Sequence, residues 1–213
     1  MRCYLVRHAQ TLRNRRRCFQ GRTDTPLSPL GLRQAQCLET YFAGRALGAI
    51  YSSNLDRSIQ TARAIASATG TVVKTESGLA EIDFGTWEGL TTEEVETRFK
   101  REYSQWLQSP LQVRIPGGEP CDQFRIRVRR TLTDVVARHQ DEGAQALVVV
   151  SHGGVIASLL ADCLDADYGQ LLHRLVLEHA GISAVEWRVG SPSVLWINAT
   201  AHLDSLSERL FSG

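Results

Sequence analysis

Residues 146–163 read ALVVVSHGGVIASLLADC. The continuous apolar run from Ala146 to Val150 suits a strand buried on both faces, as in the interior of a parallel sheet. Gly153-Gly154 interrupts it, and a helix is expected near Val155 to Cys163. Strand, short polar turn and helix are the parts of a wound α/β domain, and in such sheets ligands collect beyond the carboxyl ends of the strands. Ser151-His152-Gly153 falls at that place.

Upstream the same alternation recurs. Cys3-Tyr4-Leu5-Val6 is a short β-rich run, and the polar, basic text that follows to about Asp24 reads as a long loop. Ser28-Pro29 supplies an N-cap and a first-turn proline, and Leu32, Ala35, Leu38 and Phe42 recur at helical spacing. A helix is expected from about Pro29 to Gly44. Ala49 to Ser52 gives a second strand, Asp56 to Thr69 a second helix closed by Gly70, and Thr71 to Lys74 a third strand. Ile82 to Gly89, with two glycines, Phe84 and Trp87, reads as a tight, partly buried loop. Thr91 to about Gln108 reads as one helix with Val95, Phe99, Tyr103 and Trp106 on one face, and Asp122 to His139 as a long basic helix. Two late strands, Ile182 to Val189 and Val194 to Ile197, flank a Gly190-Ser191-Pro192 turn. No repeat or low-complexity linker intervenes, so one three-layer α/β domain over residues 1–213 is expected.

With 43% hydrophobic and 22% charged residues, a chain of 213 residues can bury a core without staples. The net charge of +1 provides no global attraction for nucleic acid, an anionic membrane or a polyanionic partner. Five scattered cysteines without a C-x-x-C pair argue against a disulfide framework and a thiolate metal site. The first strand leaves no room for a signal peptide, and no apolar run approaches the roughly 18 residues of a bilayer span. A cytoplasmic setting is therefore expected. The late strands offer an edge at which a homodimer could form.

Three strand ends carry the candidate chemistry. The first ends in Arg7-His8, the second in Ser52-Ser53 with Arg57 in the opening turn of the next helix, and the apolar strand in Ser151-His152-Gly153. If parallel, they deliver two arginines and two histidines to one edge. Arginine presents a planar, permanently charged fork to phosphate oxygens, and a neutral imidazole can attack phosphorus without a metal. The second imidazole would serve as a cationic donor, alongside the helix N-terminus after Gly153-Gly154. Any one of these residues alone is more often a packing or surface residue; their convergence carries the reading.

These residues resemble the histidine phosphatase superfamily, also called the phosphoglycerate mutase-like family, through most of the chain. The matching blocks are RHAQTLRN (7–14), FQGRTDTPLSPLGLRQA (19–35), YSSNLDRSIQTA (51–62), EIDFGTWEGL (81–90), PGGE (116–119) and VVVSHGG (148–154). The resemblance implies a mixed, mainly parallel sheet between helical layers and a reaction with no metal and no cofactor. It implies that His8 is the nucleophile, that Arg7, Arg57 and His152 bind the phosphoryl group, and that Glu81 is the proton donor. It adds Asn14 as a phosphate ligand, Gln20 and Gly21 as a substrate-contacting pair, and the backbone at Gly153. Ala9 stands where the commonest form of the motif has glycine, and Gln10 where an acidic residue is frequent. The Arg-His-Tyr that follows the acid in the mutases is absent, since Ile82-Asp83-Phe84 follows Glu81.

The expected function is thus hydrolysis of small phosphorylated metabolites, with phosphoserine, phosphoglycerates and α-ribazole phosphate as candidates. A cofactor-dependent mutase and a weakly catalytic phospho-ligand binder are the rivals. The cationic pocket is expected to keep Glu81 ionised until a phosphate dianion reverses the local field. Arg13, Arg15, Arg16 and Arg17 read as a solvated face, and Arg22 is undecided. Cys18, beside three arginines, is a candidate for a lowered pKa. His139, His173, His179 and His202 lack metal-ligand spacing and read as structural or exposed.

Overall fold

The structure is a computed structural model that describes residues 1–139, 146–187 and 192–208. Six strands, β1 (Arg2–Arg7), β2 (Leu47–Ser53), β3 (Val73–Glu76), β4 (Ala146–Ser151), β5 (Ile182–Trp187) and β6 (Pro192–Ala199), form one sheet in the order β3-β2-β4-β1-β5-β6. β3, β2, β4 and β1 run parallel; β5 is antiparallel to β1, and β6 to β5. The mixed, mainly parallel sheet expected from the resemblance is the one observed. β4, read as a strand buried on both faces, is central, with β2 and β1 as its neighbours.

The helices are α1 (Leu12–Arg15), α2 (Pro29–Phe42), α3 (Asp56–Thr69), α4 (Thr92–Arg98), α5 (Lys100–Gln108), α6 (Cys121–Ala137), α7 (Gly153–Leu164), α8 (Tyr168–Arg174) and α9 (Asp204–Glu208). Because strand side chains alternate, each inner strand contributes to two cores. Tyr4, Val6, Ile50, Val148 and Val150 pack with Leu38 and Phe42 of α2 and Ala62 and Ile65 of α3. Cys3, Leu5, Tyr51, Leu147 and Val149 pack with Phe124 and Val128 of α6 and Ile156 and Leu160 of α7. The sheet is thus covered on both faces, which gives the three layers.

Cap chemistry places several ends where the sequence indicates. Ser28 Oγ accepts from Gly31 N (3.0 Å) with Pro29 in the first turn, and Gly70 closes α3 at φ +69°. β3 starts at Val73 rather than Thr71, since Ile50 pairs with Val73 and the two residues after the Gly70 cap are spent reaching the sheet. The polar stretch read wholly as loop contains α1, a single turn capped by Thr11. The single helix expected over Thr91–Gln108 is two, broken at Phe99 (φ −129°, ψ 42°). The break lets the chain wrap Trp87, whose ring centroid lies 6.3, 6.1 and 6.2 Å from those of Phe99, Tyr103 and Trp106. α8, unanticipated, is capped by Asp167 Oδ1 accepting from Gln170 N (2.8 Å). The end of the first expected late strand and most of the turn after it, residues 188–191, lie outside the described residues, and the second strand runs from Pro192 to Ala199 rather than from Val194 to Ile197. Among the described residues no helix is long and apolar enough to cross a membrane.

Candidate functional site

Sheet register assembles the site. In the parallel pair β1 and β4, Arg7 stands opposite Ser151, so the next residue of each strand, His8 and His152, meet with ring centroids 5.0 Å apart. His8 N donates to Ser151 O (2.8 Å). On the other side of β4, Ser53 at the end of β2 lies with its Oγ 2.8 Å from His152 Nε2. Arg57, in the first turn of α3, is 0% exposed. The four residues singled out at strand ends are therefore brought together.

Hydrogen bonds fix which atoms face a ligand. His8 Nδ1 is 2.8 Å from Ala9 O, and a carbonyl can only accept, so the ring proton sits on Nδ1 and Nε2 keeps its lone pair. Burial, then Arg57, His179 and Arg7, hold the His8 pKa well below the ordinary histidine value. Burial, Arg57, His8 and Arg7 do the same for His152, so in the unliganded site it is a neutral donor rather than the expected cation. Ser53 Oγ already accepts from Leu55 N (3.2 Å) and can give its own proton to His152 Nε2, which leaves the His152 proton on Nδ1. Nδ1 has no partner, and neither have Arg7 Nε and Arg57 Nε. Buried donors normally find acceptors, so three unsatisfied ones among residues clustered about His8 mark a place for an anion. Three other arginine nitrogens anchor the forks: Arg7 Nη1 to Leu177 O, Arg57 Nη2 to Gly21 O (2.6 Å), and Arg57 Nη1 to Thr23 O (3.2 Å) and Asp24 Oδ1 (3.3 Å). Desolvation lowers the Arg7 pKa to about 10, still charged at neutral pH.

Glu81 reaches the site from outside the sheet. Its carboxylate accepts from Ile82 N (3.0 Å) and from Gly154 N (3.1 Å) in the first turn of α7. A Cβ on Gly154 would come within 2.6 Å of Glu81 Oε1, so this glycine makes room for the acid. Burial outweighs those N–H groups and the two arginines and raises the Glu81 pKa above the ordinary carboxylate value. Arg127 of α6 holds the segment in place. It donates to Gly78 O (2.8 Å), Ala80 O (2.7 Å) and Glu81 O (3.0 Å), and pairs in bidentate fashion with Glu119 (2.6 and 2.7 Å).

Asn14 lines a cleft of about 270 Å³ with Arg7, Arg17, Cys18, Phe19, Thr92 and His179. Its Oδ1 accepts from Thr11 N (3.1 Å) while Asn14 N donates to Thr11 Oγ1 (3.1 Å), a capping box. The single Thr11 Oγ1 proton lies between Gln20 Oε1 (2.7 Å) and Asn14 Oδ1 (2.9 Å). Gly21 is buried, gives its carbonyl to Arg57, and admits no side chain because a Cβ would lie 2.5 Å from Ile82 O. Gly153 lies against the Arg7 guanidinium, 3.6 Å from its would-be Cβ. Ala9 takes no positive φ and packs with Leu27 and Ala35, so its methyl imposes no backbone strain. Of the basic run, Arg15, Arg16 and Arg17 are exposed. Arg22 pairs with Glu119 (3.5 Å) and lines a second cleft, of about 550 Å³, with Asn54, Leu55, Asp83, Gly117 and Gly118. His179 was read as structural or exposed, yet its ring lies 5.6 Å from that of His8. The signal for it was weak, a lone histidine ahead of a late strand with no motif around it.

The sequence model of the family described as histidine phosphatase superfamily (branch 1) matches residues 3–200. The chain is 33% identical over 199 residues to phosphoserine phosphatase 1 of Hydrogenobacter thermophilus, covering 93% of this chain and 92% of that protein. It is 31% identical over 207 residues to a Yersinia pestis protein named probable phosphoglycerate mutase GpmB, covering 94% of each. Among solved structures, the alpha-ribazole phosphatase from Shigella flexneri superposes with a TM-score of 0.83 at 26% identity, covering 93% of this chain and 96% of that one.

Proposed function

The chain belongs to the histidine phosphatase superfamily, branch 1, and from that premise we propose that it hydrolyses small phosphomonoesters through a phosphohistidine on His8. The observation that carries this reading is the His8 ring, with Nδ1 tied to Ala9 O and Nε2 free, beside the unsatisfied donors Arg7 Nε, Arg57 Nε and His152 Nδ1. In the first step the Nε2 lone pair attacks phosphorus, the ester P–O bond breaks in line, and Glu81 gives its proton to the leaving alkoxide. In the second, the Glu81 carboxylate takes a proton from water, the oxygen attacks phosphorus, and the N–P bond breaks to free His8 and inorganic phosphate. The raised Glu81 pKa favours the protonated acid that the first step requires. Arg7, Arg57, His152, Asn14 and the Gly153 backbone stabilise charge on the equatorial oxygens, and Gln20 and Gly21 shape the leaving-group side. No step uses a metal or cofactor.

The leaving group belongs to a small metabolite of the kind named for the relatives: phosphoserine, a phosphorylated glycerate or α-ribazole phosphate. Turnover of these esters in the presence of a chelator tests the reading. Phosphate release from at least one of them, unchanged by chelator and accompanied by an acid-labile, base-stable phosphoenzyme, is the expected result. Primer-dependent isomerisation of phosphoglycerate with negligible phosphate release would move the protein to the mutase class. Activity restored only by an added metal would overturn the metal-free step.

A further inference from the structure

His179 has a place that the mechanism above does not use. The His8 ring is flanked by two imidazoles, His152 at 5.0 Å on the buried side and His179 at 5.6 Å on the side of the cleft shared with Arg7 and Asn14. His179 is partly exposed on that cleft, so its ring is accessible to whatever occupies it. Neither ring nitrogen of His179 hydrogen-bonds to a described residue.

The turn beneath it is built to hold that position. Ala180, wholly buried, takes φ +61°, a left-handed conformation that is unfavourable for a non-glycine residue and persists only where the surroundings enforce it. Ala180 N donates to Arg7 O (3.0 Å) and His8 O (3.3 Å), and Arg7 N to Gly181 O (3.1 Å). Ala180 O lies 3.0 Å from His202 Nε2, and Asn198 Oδ1 accepts from Glu178 N (2.7 Å). The backbone that carries His179 is therefore fastened to the carbonyls of Arg7 and His8 themselves, so the two rings keep a fixed relation.

We propose that His179 is a further catalytic residue, which touches the transferring phosphoryl group from the cleft side of His8 and donates a hydrogen bond to one of its oxygens. Burial and the neighbouring Arg7 push the His179 pKa down to about 3, so at neutral pH the ring is uncharged, with one N–H to give. It complements His152: one imidazole serves the buried flank of the phosphoryl group and the other its open flank. The inference rests on His8 being the nucleophile.

The test compares His179→Leu, which keeps bulk and removes the donor, with His179→Asn, which restores a neutral N–H. Single-turnover phosphorylation of His8 by p-nitrophenyl phosphate and the affinity for orthovanadate are the readouts, with melting temperature as the fold check. His179→Leu should lose roughly 10- to 100-fold in both, the scale of one hydrogen bond to a charged group. His179→Asn should recover most of the loss. Values within twofold of the parent for His179→Leu, or an asparagine variant no better than leucine, would overturn the proposal. Should the leucine variant not fold, His179→Ala with added imidazole replaces it: rescue supports the contact and its absence overturns it. A parent protein that traps no phosphohistidine overturns the His8 reading instead, and that arm is measured first.

Discussion

At the scale of single residues, the proposed mechanism divides the reaction between His8 and Glu81, and their variants should differ in kind. His8→Ala should abolish phosphoenzyme and turnover with every ester, because in that mechanism His8 alone carries the phosphoryl group. Glu81→Gln should lose about 10²–10⁴-fold toward alkyl phosphates, the usual worth of a positioned acid. It should phosphorylate His8 far faster from p-nitrophenyl phosphate, whose leaving group needs little protonation. Since water activation also falls to Glu81, that variant should show a burst of nitrophenol followed by slow turnover. Stopped-flow kinetics reads both phases, and equal losses for the two ester classes would remove Glu81 from the acid role.

At the scale of elements, the segment that delivers Glu81 depends on one arginine of α6. Arg127→Met leaves the carbonyls of Gly78, Ala80 and Glu81 without this donor and the Glu119 carboxylate with the longer Arg22 pair (3.5 Å) in place of its bidentate partner. The expected cost is about 2–3 kcal/mol in urea unfolding, below the ~3–5 typical of fully buried pairs because the Arg127 side chain is 21% exposed. Its kcat should fall more for alkyl phosphates than for p-nitrophenyl phosphate, as a displaced acid requires; equal falls would mean that Arg127 does not act through Glu81. Such tertiary dependence also limits what the sequence discloses. Period and caps gave α2, α3 and α7 because Ser28, Pro29, Gly70 and Gly153-Gly154 act within a few residues of their own helix. The break at Phe99 has its cause in Trp87, twelve residues away, and no local signal announces it. At the site, Arg7, His8, Arg57 and His152 were legible because each follows a strand or opens a helix. The neutral state of His152 and the upward shift of the Glu81 pKa were not, since burial is their first cause and burial belongs to the folded chain.

At the scale of the whole molecule, the site makes the fold sensitive to acid. His8, His152 and His179 all have folded pKa values below that of an unfolded histidine, with His179 at about 3. As pH falls through about 6.5 the unfolded chain takes up protons that the folded one refuses, so stability present above that pH is lost on acidification. Each imidazole contributes a slope of about 1.4 kcal/mol per pH unit between its two pKa values. The melting temperature should drop between pH 7 and pH 5, and less steeply in His179→Asn; a flat profile in both would contradict this assignment. The same architecture sets a length. His8 and His152 are far apart in sequence, yet each is the first residue beyond a registered pair of adjacent parallel strands, Arg7 and Ser151. Their 5.0 Å separation is close to the ~4.8 Å pitch between neighbouring strands of any β-sheet. Backbone register thus sets the two histidines side by side whatever the length or composition of the intervening chain, and the ring contacts to Ala9 O and Ser53 Oγ orient the imidazoles. Under the proposed mechanism, insertions there would remodel the leaving-group side and leave the register that pairs the two histidines in gauge.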